Sequence, residues 1–227
     1  MQASEQASEQ ASGQAPEQAS HMYSGIDAIT ENIVLITGRN QKHGGDGTGL
    51  DDLNHFLHSE YASKRCMLHL RNWNDDFISL AASINRNRFR QYARVFVVSY
   101  SWGTGHGAVQ FASALQRHGI TLSHLYSIDG VYKPWFPLPV RSLFSRWNPL
   151  APVIRVPNTD MITYWRQETN RPMGHEIQGE EGCVVIPGNH DDGLVAKTRH
   201  ENMDVSREIH DSIRASLARH ISFARLK

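Results

Sequence analysis

Residues 95–115 read VFVVSYSWGTGHGAVQFASAL. An apolar, β-branched run leads into a serine, and the serine is followed at once by a helical pattern in which Ala108, Phe111, Ala112 and Leu115 share one face. A serine on a sharp strand-to-helix turn is held with its hydroxyl above the sheet edge, in the position of a nucleophile for acyl transfer. Such a turn is tight, so the positions two before and two after the serine must be small; around Ser101 they are Ser99 and Gly103. The usual pattern of these turns is GxSxG, and Ser99 departs from it by one hydroxymethyl group. The N-terminus of the following helix adds backbone N–H groups and a positive dipole end where an oxyanion would form.

The remaining elements must position that serine. Short apolar runs end at Thr37 (NIVLIT), Leu70 (CMLHL), Ser99 (RVFVVS), Asp129 (LSHLYSID), Pro157 (PVIRVP) and Pro187 (CVVIP). Continuous apolarity predicts strands covered on both faces. Helical patterns lie between them at 50–60, 75–90 and 108–119, the last stopping at Gly119. A terminal stripe of Val205, Ile209, Ile213, Leu217 and Ile221 follows Asp204 as N-cap. Strands alternating with helices predict a three-layer αβα sandwich around a mostly parallel sheet of six strands, with ligands at the carboxyl ends of the strands. Residues 134–152 (PWFPLPVRSLFSRWNPLAP) are proline-broken and aromatic, as a loop over a site would be.

Composition narrows the class. The first twenty residues repeat a small polar unit without aromatic or branched apolar side chains and cannot offset their ordering entropy. His21 and Met22 resemble a cloning junction, so residues 1–22 read as an added polar tail and 23–227 as a single domain. The tail has neither the apolar core nor the basic start of a signal peptide, and no stretch is long enough for a membrane span. The 23 basic and 23 acidic residues cancel, which leaves no basic excess for nucleic acid. Cys66 and Cys183, each in an apolar run, read as buried thiols rather than a disulfide framework, favouring a reducing, cytoplasmic setting.

The strand, Ser101 turn and helix together resemble the α/β-hydrolase superfamily, over roughly residues 33–226 in a compact form. That resemblance implies a serine esterase or lipase-like enzyme without metal or organic cofactor, and a chain order of Ser, then acid, then His. Asp129, at the end of LYSID with Gly130 behind it, is the candidate acid; Asp160 after PVIRVPNT is its rival, in the family's more usual place. His200, immediately before the terminal helix, is the candidate base, with His190 of GNHDDG second; His43, His106 and His175 read as solvated or capping residues. The oxyanion donors implied are the backbone N–H of Trp102 and one from Gly38 or Arg39 after the first strand. Trp135, Phe136 and Trp147, with Leu138, Leu143 and Phe144, would form an apolar acyl wall for a small-molecule or lipid-like ester.

Other strings offer competing readings. HGGDGTG at 43–49 contains the GGDGT string of the diacylglycerol-kinase and NAD-kinase families, but there it follows a strand almost directly, whereas here GRNQKH intervenes after Thr37. Its glycines fit a loop across the rim of the serine site better, with Asp46 and Thr48 as capping or turn residues. GNHDD at 188–192 resembles a metal-binding signature of calcineurin-like metallophosphatases, yet the chain has neither the DxH nor the closing GHxH of that family. A binding protein on a degenerate hydrolase fold is the alternative that Ser99 leaves open.

Overall fold

A computed structural model describes residues 31–39, 41, 49–61, 66–87, 94–132, 153–168, 174–188 and 198–223. Six strands form one sheet: β1 Glu31–Thr37, β2 Cys66–Asn72, β3 Arg94–Tyr100, β4 Leu122–Ile128, β6 Met161–Trp165 and β8 Val184–Pro187. Their order is β2-β1-β3-β4-β6-β8, and every pairing is parallel. A second, two-stranded parallel sheet pairs β5 Ile154–Val156 with β7 Ile177–Gly179. The main helices are α1 Gly49–Tyr61, α2 Phe77–Asn87, α3 Val109–Gln116 and α4 Arg207–Phe223.

Strand alternation explains the layering. Val34 and Ile36 of β1 and Val95 and Val97 of β3 point to one face, where they pack with Phe77, Leu80 and Ile84 of α2 and Phe111 and Leu115 of α3. Ile33, Leu35, Phe96 and Val98 point to the other, against Leu50, Leu53 and Leu57 of α1 and Ile209, Ile213 and Leu217 of α4. The arrangement is the expected αβα sandwich around a parallel sheet. From β1 the chain moves outward one way to β2 and the other way to β3, so the topological switch lies between β1 and β3. In open α/β sheets ligands bind outside the carboxyl ends of the strands at such a switch point.

Four expectations change. PVIRVP is not a strand of the main sheet; among the described residues β5 pairs with β7 alone, and the fifth strand of the main sheet is MITYW. Its five residues mix threonine, tyrosine and tryptophan with aliphatics, so no continuous apolar run marks it. CVVIP does form β8, but at an edge of the sheet rather than covered on both faces, with Val184 51% and Ile186 40% exposed. Val205 lies off the buried stripe at 52% exposure, because α4 begins only at Arg207. Asp204 does not cap α4: the His210 N–H reaches the Ser206 carbonyl at 3.0 Å, which puts Ser206 in that role. The Asp204 carboxylate instead accepts from the Gly49 N–H at 3.2 Å, capping α1.

The helix predicted at 75–90 starts at Phe77 behind Asp76, whose carboxylate accepts from the Ser79 N–H at 3.0 Å. Its last predicted turn extends outside the described residues, as do Asp46 and Thr48. The third helix ends as expected, with Gly119 at φ +63. Cys66 is buried as predicted, whereas Cys183 is only partly so; both are free thiols. Among the described residues, no helix is long and apolar enough to cross a membrane.

Candidate active site

β3 ends at Tyr100 and delivers Ser101 to the switch point at the carboxyl ends of β1 and β3. The serine has φ +54, a left-handed conformation unusual for a residue with a side chain. Backbone bonds hold it there: its N–H donates to the Ile128 carbonyl at 3.0 Å, and its carbonyl accepts from Thr104 and Val131 at 3.1 and 3.0 Å. The turn continues as a π-helical stretch, Gly103–Ala108, that runs into α3. Gly103 is required by close approach, since a Cβ there would lie 2.3 Å from the Ile36 carbonyl oxygen.

Ser99 is accommodated rather than merely tolerated. Fully buried, it shares a hydrogen bond with the Thr104 hydroxyl at 2.8 Å, and Thr104 shares another with the Ser127 hydroxyl at 2.9 Å. This chain of three hydroxyls satisfies the polar group that glycine would lack. The departure from GxSxG therefore leaves the turn intact.

Ser101 Oγ lies 3.0 Å from His200 Nε2, and His200 Nδ1 lies 2.5 Å from Asp129 Oδ2. Because a carboxylate only accepts, Nδ1 carries the proton toward Asp129 and Nε2 is left to accept from the serine hydroxyl. Asp129 is fully buried with φ +45 at the end of β4. Its N–H donates to the Trp165 carbonyl at 2.7 Å, and its Oδ1 accepts from the Gln167 N–H at 3.1 Å. Gly174 leaves room for this carboxylate, since a Cβ there would come within 2.1 Å of Oδ1.

Asp160 is exposed at the amino end of β6, where its N–H pairs with the Leu122 carbonyl at 3.0 Å. It stands a whole strand, about 16 Å, from the Trp165 end beside which Asp129 sits. The rival acid is therefore at the wrong end of the sheet, and Asp129 alone of the two meets His200. His190 lies outside the described residues, as do His43 and the proposed wall of Trp135, Phe136 and Trp147 with Leu138, Leu143 and Phe144. His106 is not a solvated side chain. Its ring stacks on Trp102 with centroids 4.7 Å apart and lies 5.1 Å from Tyr132. His175 Nδ1 faces the Tyr132 N–H at 3.5 Å, a long contact.

The oxyanion candidates flank the serine. Trp102 follows Ser101 at the start of the helical turn, where backbone N–H groups have no intrahelical acceptor. Gly38 is packed against the serine, for a Cβ on it would lie 3.0 Å from Ser101 Cβ. The Gly38 N–H, however, donates to Gln41 Oε1 at 3.0 Å. Gln41 Nε2 in turn donates to Asp204 Oδ2 at 2.6 Å, so the loop after β1 is tied to the segment that follows His200. Burial is the main cause that pushes the Asp204 carboxyl above its ordinary value.

Two supports of the histidine were not legible as such. Tyr100 occupies a position of the SYSWG turn that the nucleophile pattern leaves free, yet its ring stacks on His200 and its hydroxyl donates to the His200 carbonyl. Burial, followed by the charges of Asp204 and Asp129, pushes the Tyr100 phenol well up, so it remains a neutral donor. The Gln41–Asp204 tie joins residues far apart in sequence, and neither residue belongs to a motif. Strand alternation was the available signal for Tyr100, because it places that side chain on the Val98 face, where α4 and its preceding loop pack.

No protein-family model matches the chain, and no curated protein matches it. Among solved structures, the chain is similar to YbtT, described as a type II thioesterase from the yersiniabactin NRPS/PKS biosynthetic pathway. That likeness has 14% identity over 88% of this chain and 96% of that one, with a TM-score of 0.39. A serine-to-alanine mutant of the same thioesterase gives 13% identity over the same shares, with a TM-score of 0.38.

Proposed function

We propose that the protein is a serine hydrolase that cleaves carboxylic esters or thioesters through an acyl-enzyme. The observation that carries this reading is the continuous line from Ser101 Oγ through both ring nitrogens of His200 to Asp129, at 3.0 and 2.5 Å. Ser101 Oγ attacks the carbonyl carbon while His200 Nε2 takes the hydroxyl proton. Asp129 holds the imidazole in the tautomer that can accept and stabilises the imidazolium that forms. The negative charge on the carbonyl oxygen is met by the Trp102 N–H and by the Arg39 N–H. Gly38 supplies the close approach to Ser101 that brings this pair together. His200 then returns the proton to the leaving oxygen or sulfur, and water, deprotonated by His200, releases the acid.

Trp135, Phe136 and Trp147 are proposed to line the acyl side, which would give a lipase-like preference for longer chains. An acyl-length series of p-nitrophenyl esters tests the whole reading with native protein and the Ser101→Ala, Asp129→Asn, Asp160→Asn and His200→Ala variants. Hydrolysis is expected in the native protein and Asp160→Asn and should be lost in the other three. Equal activity of Asp129→Asn and native protein would remove Asp129 from the triad. An inert native protein would favour the binding-protein alternative.

A further inference from the structure

The hydrolase reading leaves the kind of ester open, and the loop after β1 carries a feature that bears on it. Arg39 directly follows Gly38, the residue packed against Ser101, and its side chain is exposed. Its guanidinium carbon lies 4.8 Å from the centroid of the Trp102 ring, the residue on the other side of the nucleophile. Trp102 is itself fixed: it is 8% exposed, stacked on His106, and met edge-on by Trp73 at 5.1 Å. Stacking on a buried, immobilised ring holds an arginine in place and reduces the entropy lost when it binds an anion.

Among the described residues no carboxylate pairs with Arg39, whereas the neighbouring rim arginines are matched: Arg199 with Glu201 at 3.7 Å and Arg166 with Glu168 at 2.7 Å. Two acids around the site are already engaged, Asp129 by His200 and Gln167, and Asp204 by Gln41 and Gly49. A fixed, exposed and unmatched guanidinium at the mouth of a nucleophile site is arranged to receive a negative group of the substrate.

Resting on the serine hydrolase reading, we infer that Arg39 selects esters or thioesters that carry an anionic group, a carboxylate or phosphate, a few bonds from the scissile carbonyl. The guanidinium pairs with that group while Ser101 attacks, so selection appears in kcat/KM. Trp102 acts as the platform that holds Arg39, in addition to the backbone donor it supplies.

Two substrate pairs read this out and place the charge. Mono-p-nitrophenyl glutarate against its methyl ester probes the acyl side; 4-acetoxy-3-nitrobenzoate against the corresponding benzamide probes the leaving group. In the native protein the anionic member of at least one pair is expected to be favoured about fivefold to tenfold at low ionic strength, less as salt rises. Arg39→Gln should bring that ratio to about one, and Arg39→Lys should restore part of it. No preference in either pair, or a preference that survives Arg39→Gln, would overturn the inference. Fluorophosphonate labelling of Ser101 in the same samples separates the two levels. Labelling without charge preference sinks only the role of Arg39, whereas an unlabelled native protein sinks the hydrolase reading and this inference with it.

Discussion

Tyr100 grips His200 at two points: their rings stack with centroids 5.1 Å apart, and the Tyr100 hydroxyl donates to the His200 carbonyl at 2.7 Å. The residue before Ser101 thus fixes both the ring plane and the backbone of the proposed base. Tyr100→Phe keeps the stack and removes one hydrogen bond, worth about 1 kcal/mol. A several-fold fall in kcat with little change in KM is expected. Tyr100→Ala, which removes both supports, should lose activity much more steeply. Steady-state kinetics on an activated ester checks both; an unchanged kcat in Tyr100→Ala would show that His200 is positioned by other contacts.

The hydroxyl chain Ser99–Thr104–Ser127 predicts an asymmetry. Ser99→Gly restores the usual turn pattern and leaves Thr104 still bonded to Ser127, so the protein should remain active and lose only about 1 kcal/mol of stability. Thr104→Val strips the partner from two buried hydroxyls at once and should cost about 2–3 kcal/mol or more. Urea unfolding of the two variants measures the difference, and equal midpoints would contradict it.

Gly174→Ala tests the support of Asp129, the proposed acid. The new Cβ would meet Asp129 Oδ1 at 2.1 Å and Arg166 Cγ at 2.8 Å, so the carboxylate or the segment carrying Gly174 must move. Because a displacement of about 1 Å costs on the order of a hundredfold in rate, kcat should fall by about that factor while the fold survives. Native-like circular dichroism with full activity would rule out this tight packing.

Acid should weaken the fold through two histidines, His124, which is buried, and His69, which is half-buried. Burial, followed by the charge of His220, pushes His124 down from 6.5 to about 3; burial and Arg71 push His69 down to about 4. In each case the unfolded chain takes up a proton that the native one refuses. Their stabilising contribution is therefore complete above pH 6.5 and is lost as the pH falls from there toward the folded values. For His124 the slope is at most about 1.4 kcal/mol per pH unit. His124→Phe keeps a ring against Tyr126 and should flatten the fall in stability between pH 6.5 and 4, measured by urea unfolding. An unchanged slope would assign the acid sensitivity elsewhere.

Ser101, Asp129 and His200, which the fold brings into one hydrogen-bonded line, could be singled out as candidates because each stands at a marked chain position: Ser101 at a strand-to-helix turn, Asp129 at the end of an apolar strand, and His200 ahead of an amphipathic helix. The choice between Asp129 and Asp160 was not readable. It depends on which end of a strand each aspartate occupies, and β6 has too mixed a pattern to show that it starts after Asp160 rather than ending before it. The exposure of β8 was hidden for a related reason, since an apolar edge strand and a central one have the same local pattern. The Gln41–Asp204 tie exists only because folding brings the loop after β1 beside the segment following His200, and no local periodicity encodes that.

The most direct measurement is intact and peptide mass spectrometry after reaction with a fluorophosphonate. One adduct is predicted, on the peptide containing Ser101, absent in Ser101→Ala and strongly slowed in His200→Ala and Asp129→Asn. No adduct on the native protein, or one that persists in Ser101→Ala, would contradict the assignment of Ser101 as the nucleophile.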